Sequence, residues 1–575
     1  MRRRLGIIRR DAFLSFMGKR NKKKRRVRAE AAPVADAPSA FWRHPELCIF
    51  LAALAVRFVH LLYYRGDFWL RTPLLDDNIF VSWAHTIELE GWLARSLGAF
   101  HLNPAYPYFL AALGKTVGRG VMLVFSLQHV AGAVAPVFLY RLGLRAFGRK
   151  TAVCAAVIGA LYGPAIFYES RFLGEFWIYF FNLASLLALS RARDGKLPEA
   201  GWALSGLALG FSAVLRPNSL VLLPLVLAWG LWSLRDRRRR ILPCALLYLI
   251  CLWLPLLPFQ LRNRAVDPAR GWGLTTASGG VNLYLGNNPE ADGLNKAPSF
   301  IRYGPGHQYQ DFKEEAERRA GKALSPEEVS RYWTRQTGKW FVQRPGAAAT
   351  LMWRKAGFFW NYAEPPDNFF PSIFQRFTKI GMLPLISWGL VAPLGLAGLL
   401  WSLRRREARS FWLLHGYVLA YFAVNVLFYI LSRYRFPAAA GLILFAAYAL
   451  VRLYAGVKSR SFAKAAALFL LCLGCVGFSH QRLIGEEDMG VSHYSMAVIY
   501  ANKGWEEQAV EEYRKSIAAD PTFKASYLNL GILEAKRGNV DNAVRALTGA
   551  LPLERDPARR KLIQENINRL RLSGP

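Results

Sequence analysis

The sequence predicts an all-α polytopic membrane protein of about eleven transmembrane helices, with a mixed external loop domain and a C-terminal helical repeat array. Three observations predict it. Apolar residues make up 53% of the 575 residues, and they fall in blocks of about 20, the length a helix needs to cross a bilayer. Basic residues cluster in short stretches between those blocks, as in the cytoplasmic loops of membrane proteins. The C-terminal segment repeats itself at a spacing of 34 residues.

The charge balance is strongly positive, with 75 Lys and Arg against 39 Asp and Glu. Nucleic-acid binding is one reading of such a balance, but the placement of the charges between apolar blocks argues against it. Residues 1–40 form a basic tail carrying Arg2 to Arg4 and Lys22 to Arg26 without an apolar core. A cleavable signal peptide is therefore not expected, and the tail is expected in the cytoplasm, near anionic lipid. The six cysteines all lie in apolar blocks, which suits packing rather than a disulfide framework. Cys472 and Cys475 form a C-x-x-C inside Leu/Gly/Phe sequence and are read the same way.

The spans fall at 46–65, 121–142, 151–168, 172–190, 200–214, 218–234, 241–260, 382–403, 411–431, 436–455 and 462–480. With a cytoplasmic N-terminus, five short loops are cytoplasmic: Arg145–Lys150, Arg191–Lys196, Arg235–Arg240, Arg404–Arg409 and Arg452–Lys464. All five are basic, so span count and orientation agree. Residues 41–260 then form an N-terminal transmembrane core whose first external segment is 66–120. Residues 261–381 form an external domain, 382–480 the C-terminal transmembrane helices, and 481–575 the repeats. Within the first external segment, 78–99 has helical periodicity and is expected to lie on the outer membrane surface. In 261–381, helices are expected near 310–320 and 326–343.

The repeat pairs Tyr494 with Leu528, Ala497 with Gly531, Gly504 with Gly538 and Ala509 with Ala543. Small residues at such positions let paired helices approach closely, and a helix–turn–helix period of 34 resembles the tetratricopeptide repeat. A last helix is expected over 557–572. Such arrays present surfaces that bind peptides, which makes a protein partner or acceptor the natural expectation.

Chemistry is sought among ionisable residues near membrane level that topology does not require. Asp76 and Asp77 follow span one. Glu169, Arg171 and Glu175 lie between spans three and four, Arg216 between spans five and six, and Arg433 and Arg435 between spans nine and ten. All of these loops emerge on one face, where carboxylates and arginines suit a substrate bearing phosphate and hydroxyl groups.

The motifs in which these charges sit carry a resemblance. Asp76 precedes Trp83-Ala84, followed by NPAYPYFLA at 103–111 and LYGPAIFYES at 161–170. Then come LRPNSLVLLP at 215–224, GGVNLYLGNNPEADG at 279–293, FFWNYAEPPDN at 358–368 and SRYRFP at 432–437. Together they resemble the polyprenyl-phosphate-dependent glycosyltransferases of the GT-C fold, specifically the dolichyl-phosphate-mannose protein mannosyltransferase-like group (glycosyltransferase family 39-like), whose members often bear tetratricopeptide repeats. The resemblance implies inverting sugar transfer from a polyprenyl-phosphate sugar to an acceptor hydroxyl on the outer face of the inner membrane. It implies an aspartate general base in the first external segment, for which Asp76 is chosen over Asp77; the alternative for Asp76 is a helix N-cap. Arg216, Arg433 and Arg435 are the candidates for the donor's phosphate, because arginine forks match phosphate oxygens.

Glu169 is expected to orient the acceptor or to pair with Arg171. Glu364 is expected to read sugar hydroxyls or cap local backbone, and His101 to line the site or lie in an exposed loop. Asn287 and Asn288 are expected to form a turn or bind substrate. A divalent metal at Asp76, Asp77 and Glu169 is conceivable but not favoured, since the chain has no zinc-ligand spacing, P-loop or dinucleotide fingerprint. Two other classes compete: a non-enzymatic repeat-bearing membrane scaffold for envelope assembly, and a lipid or ion transporter. The scaffold leaves the external charges unexplained, and the transporter predicts charges at the bilayer midplane.

Overall fold

Long apolar stretches without interior charge bury their backbone polar groups by closing them into helices, and helices are what the chain forms. The structure is a computed structural model. It describes residues 44–65, 73, 76–100, 102–118, 120–195, 197–268, 276–302, 308–365, 385–404, 412–484, 490–554 and 556–572. Among these no strand occurs; a single isolated bridge joins Tyr162 to Ile386.

The N-terminal half contains α1 (Pro45–Tyr64), α2 (Asp76–Glu90), α3 (Ala105–Thr116), α4 (Val121–Ala146), α5 (Arg149–Ala160), α6 (Gly163–Glu169), α7 (Glu175–Asp194), α8 (Pro198–Leu215), α9 (Leu222–Ser233), α10 (Ile241–Trp253) and α11 (Leu257–Val266). The expected span 151–168 is broken at Tyr162 into α5 and α6. The span 241–260 bends by 44° between α10 and α11, where Pro255 and Pro258 remove backbone donors. Among the described residues four helices are long and apolar enough to cross a membrane: Pro45–Tyr64, Val121–Ala146, Ser432–Lys458 and Phe462–Ser479. The bent pair makes a fifth. The chain is a multi-pass membrane protein. Close approach of α8 to α10 depends on small residues, since a Cβ at Gly206 or Gly210 would meet the carbonyl oxygens of Tyr248 and Leu252 at 2.3 and 2.4 Å.

Residues 261–381 contribute α12 (Gly279–Gly286), α13 (Gln308–Ala320), α14 (Pro326–Gln343) and α15 (Pro345–Trp360). This segment was expected to be mixed; among its described residues the only regular elements are helices, joined by turns and coil. Ser325 and Glu328 close a capping box at the start of α14, and Trp333 packs with Tyr284, Phe312, Tyr429 and Leu431. This core seats the domain on the segment that leads into Arg433.

Lys355 of α15 completes the seat. It is fully buried and donates to Asn287 Oδ1 at 2.7 Å and to the Phe428 carbonyl at 2.6 Å. Burial lowers its amine from 10.5 to about 7. The folded value is depressed, so the stability it contributes is fully present above about 10.5 and is lost as pH falls toward 7. The slope is at most about 1.4 kcal/mol per pH unit. The melting temperature should therefore fall between pH 9 and pH 7, and Lys355→Met should fall less over the same interval.

The C-terminal half adds α16 (Trp388–Ser402), α17 (Trp412–Leu427), α18 (Ser432–Arg435), α19 (Ala439–Lys458) and α20 (Phe462–Ser479), then α21 (Gly490–Asn502), α22 (Glu506–Ala519), α23 (Lys524–Lys536), α24 (Val540–Ala550) and α25 (Pro557–Leu572). The pairs α21/α22 and α23/α24 are offset by 34 residues. Gly504 and Gly538 hold matching left-handed turns at φ 76° and 79°. Ala497, Ala509 and Ala543 are all fully buried between paired helices. Met496 and Ile499 of α21 join the apolar cluster that includes Leu61, Ala84, Leu110 and Phe125, so the first repeat helix packs into this cluster. Cys472 and Cys475 are free thiols buried against Ala397 and Leu468.

Candidate functional site

Helix α2 begins at Asp76, so the two carboxylates sit in its first turn, where the helix dipole favours negative charge. Trp83, Ala84 and Ile87 are buried further along the side that carries the two aspartates, and their packing fixes the rotation of the helix. Its exit is held from α11. The fully buried Arg262 donates to the carbonyls of Leu93 at 2.8 Å and Ala94 at 2.7 Å, and stacks 3.8 Å over Phe100. Ala94 has a left-handed φ of 36°, a strained conformation that persists because its carbonyl is clamped in this way.

Around Asp76 and Asp77 the charges form a chain of ion pairs. Asp76 Oδ2 accepts from Arg433 Nη1 at 2.6 Å across a sequence separation of 357 residues. Asp77 accepts from Arg171, and Glu175 accepts from Arg216. Tyr434 lies between the last two arginines of the chain, with the Arg216 guanidinium 4.2 Å and the Arg433 guanidinium 5.4 Å from its ring centre. Burial pushes the Asp77 carboxyl up to about 6; Arg171 works against that shift, while Asp76 and Glu175 add to it. For Asp76 to serve as a base it is expected near the phosphate-binding arginines but outside a closed ion pair with them. It is instead paired with Arg433, the cation nearest to it, through one oxygen and at a partly exposed position.

The turn carrying Arg171 is fixed from below. Glu169 is fully buried and takes two hydrogen bonds of 2.8 Å from Arg57 of α1, and His129 Nδ1 lies 3.5 Å from the same carboxylate. Gln128 of α4 donates to the Glu169 and Arg171 carbonyls at 2.8 and 3.2 Å, and accepts from Tyr106 and Trp177 at 3.0 and 3.1 Å. Gly132 leaves the room: a Cβ there would lie 2.2 Å from the Glu169 carboxyl carbon. Glu169 therefore turns into the helix bundle, and its ion-pair partner is Arg57, not Arg171.

Arg435 is likewise turned inward. Fully buried, it donates to the carbonyls of Phe358, Phe359, Asn361 and Ala363 and to Glu364 at 3.0 Å, and it stacks 4.5 Å over Trp388. These bonds tie the 358–364 segment to α18 and engage Glu364 as well. Asn287 and Asn288 are buried: Asn287 donates to the carbonyls of Leu283 and the distant Leu427 and accepts from Lys355, while Asn288 bonds local backbone. Both serve the turn after α12. His101 lies outside the described residues.

Asp76, Asp77, Arg171, Arg216 and Arg433 are thus brought together, while Glu169, Arg435, Glu364, Asn287 and Asn288 support the surrounding backbone. Asp76, Asp77 and Glu169 each face a different arginine, and among the described residues no group of three His, Cys, Asp or Glu side chains is arranged to hold a metal ion. Arg57, Gln128 and Arg262 are supporting residues that sequence reasoning missed. Arg57 had a visible signal as a charge inside a span.

Fold and site together define a multi-pass helical membrane protein with a cluster of paired carboxylates and arginines at one end of its bundle. Residues 102–259 match the family model described as dolichyl-phosphate-mannose-protein mannosyltransferase, a stretch that includes Gln128, Arg171, Glu175 and Arg216. No curated protein matches the chain. Among solved structures, the apo oligosaccharyltransferase of Archaeoglobus fulgidus is 14% identical with a TM-score of 0.44, over 80% of this chain and 59% of that one. The oligosaccharyltransferase AglB of the same organism, in complex with an inhibitory peptide and a dolichol-phosphate, is 15% identical with a TM-score of 0.42, over 82% and 60%. The chain therefore spans about 60% of the length of these proteins.

Proposed function

We propose that the chain is an inverting glycosyltransferase that moves a sugar from a polyprenyl-phosphate carrier to an acceptor hydroxyl on the outer face of the inner membrane. The observation that carries this reading is the meeting of Asp76 with Arg433, beside Arg216, from three segments far apart in sequence. Asp76 is the general base, with Asp77 behind it. It takes the acceptor's proton as that oxygen attacks the anomeric carbon, and the electron pair of the breaking bond leaves with the carrier phosphate. Arg216 and Arg433 receive that phosphate, whose charge grows as the bond breaks. A phosphate competes with Asp76 for Arg433, which frees the base as the donor binds. Arg435 is a positioning residue that holds the 358–364 segment. The mannosyltransferase match over 102–259 supports the donor class.

In this reading the shorter apolar helices, Pro217–Ser233, Trp388–Ser402 and Trp412–Leu427, also cross the membrane as part of an eleven-span bundle with a cytoplasmic N-terminus. Residues 261–381 and a tetratricopeptide-type array over 481–575 then lie outside, where the array meets a protein partner or acceptor. A periplasmic reporter fused after Leu483 should be active; activity of a cytoplasmic reporter there would overturn the orientation. The functional test is Arg216→Ala with Arg433→Ala, expected to weaken use of polyprenyl-phosphate sugar at least tenfold with the protein still inserted. Unchanged transfer would remove both arginines from the phosphate site.

A further inference from the structure

Asp77 and Glu175 lie near enough to interact electrostatically, and they share a peculiarity. Each carboxylate gives one oxygen to an arginine, Asp77 to Arg171 and Glu175 to Arg216. The other oxygens, Asp77 Oδ1 and Glu175 Oε2, are buried and have no hydrogen-bond partner among the described residues, and the same holds for Arg216 Nη1. The two side chains are 1% and 2% exposed. They are electrostatic neighbours: Glu175 adds to the upward push on Asp77, and both raise the Tyr106 phenol. Buried acceptors in this state have lost water without gaining a donor, so the arrangement is completed only by a group that brings two.

The chemistry of the missing donor follows from charge. Each carboxylate is already balanced by its own guanidinium, so the pair carries little net charge. A divalent cation at the free oxygens would sit close to two arginines for no uncompensated anion, whereas hydroxyl groups bring donors without charge. A pyranose offers hydroxyls on adjacent carbons, and Arg216, which bridges Glu175 and the phosphate site, lies where the sugar joins its phosphate. We propose that Asp77 and Glu175 form a subsite for two neighbouring hydroxyls of the donor sugar, with Glu175 a specificity-determining residue. This rests on the glycosyltransferase reading.

The test uses the full chain in detergent, with bare polyprenyl phosphate and polyprenyl-phosphate-linked mannose, glucose, galactose and N-acetylglucosamine as probes. The wild type should bind at least one sugar-bearing probe about tenfold more tightly than the bare carrier, a difference of one decade in Kd. Glu175→Gln keeps an oxygen for Arg216 and turns an NH₂ donor toward the hydroxyls. It should erase that advantage, read as the ratio of the sugar-bearing to the bare-carrier Kd in the same protein, because Arg216 loses its counter-charge and the bare-carrier Kd is free to shift. Wild-type probes lacking one of the two hydroxyls should lose the same advantage, and in the variant that deletion should cost nothing more. The deoxy probes decide the matter on wild-type protein if the variant fails to fold.

An advantage retained by Glu175→Gln overturns the subsite. So does equal loss of bare and sugar-bearing carriers, which would leave Glu175 only holding Arg216. An advantage that chelator abolishes and Mn²⁺ restores places a cation there and overturns it too. Binding of the bare carrier with no sugar preference sinks the subsite but leaves the phosphate site standing, whereas no binding of any probe by the wild type sinks the glycosyltransferase reading itself.

Discussion

Asp76→Asn should abolish sugar transfer while the protein remains inserted and folded. General bases contribute on the order of 10²–10⁴ in rate, and an asparagine cannot take the acceptor's proton at neutral pH. The fold has little reason to suffer, because asparagine keeps the shape of the side chain and an oxygen that can still accept from Arg433 across this largely buried pair. The substitution also leaves Arg433 without its carboxylate. Carrier binding should then hold or tighten even as turnover disappears. Transfer at the wild-type rate would end the assignment of Asp76, and weakened carrier binding would contradict the competition between Asp76 and phosphate for Arg433.

The second large effect is on stability. Arg57→Met should remove most of the folded protein, and so should Glu169→Gln. Each leaves one member of a fully buried pair without its counter-charge, and breaking such a pair costs about 3–5 kcal/mol, a large part of what holds most folds together. The double variant restores charge balance and should recover much of the yield in detergent size-exclusion chromatography. Single variants as stable as the double would show that the pair is not what fixes the 169–171 turn. Gly132→Ala should resemble the single variants, since its Cβ would occupy the Glu169 carboxylate's place.

The broad architecture was legible in the sequence because it is periodic. Apolar blocks, basic loops and a 34-residue repeat are local signals, and the helices at 308–320 and 326–343 fall where their spacing put them. Residues 261–381 were harder. They were read as a mixed domain, yet Gly280 and Gly286 lie in a short helix, where side chains would collide with Ser330 and Phe428. The site was legible as a set of charges but not as a set of pairs. Nothing local says that Asp76 meets Arg433 rather than Arg216, or that Arg435, two residues further on, spends its guanidinium on four carbonyls. Glu169 looked like a loop carboxylate because its partner, Arg57, sits in an apolar helix read only as a span. Pairing across hundreds of residues is decided by how the helices pack.

The most direct measurement is of the carrier itself. Membranes from cells producing the wild-type chain, the Asp76→Asn chain, or none should be extracted and their polyprenyl-phosphate sugars quantified by mass spectrometry, alongside envelope glycans. The account predicts that one sugar-bearing carrier accumulates equally in the variant and the deletion, and that one envelope glycan is lost from both. Carrier and glycan profiles identical in all three would contradict it.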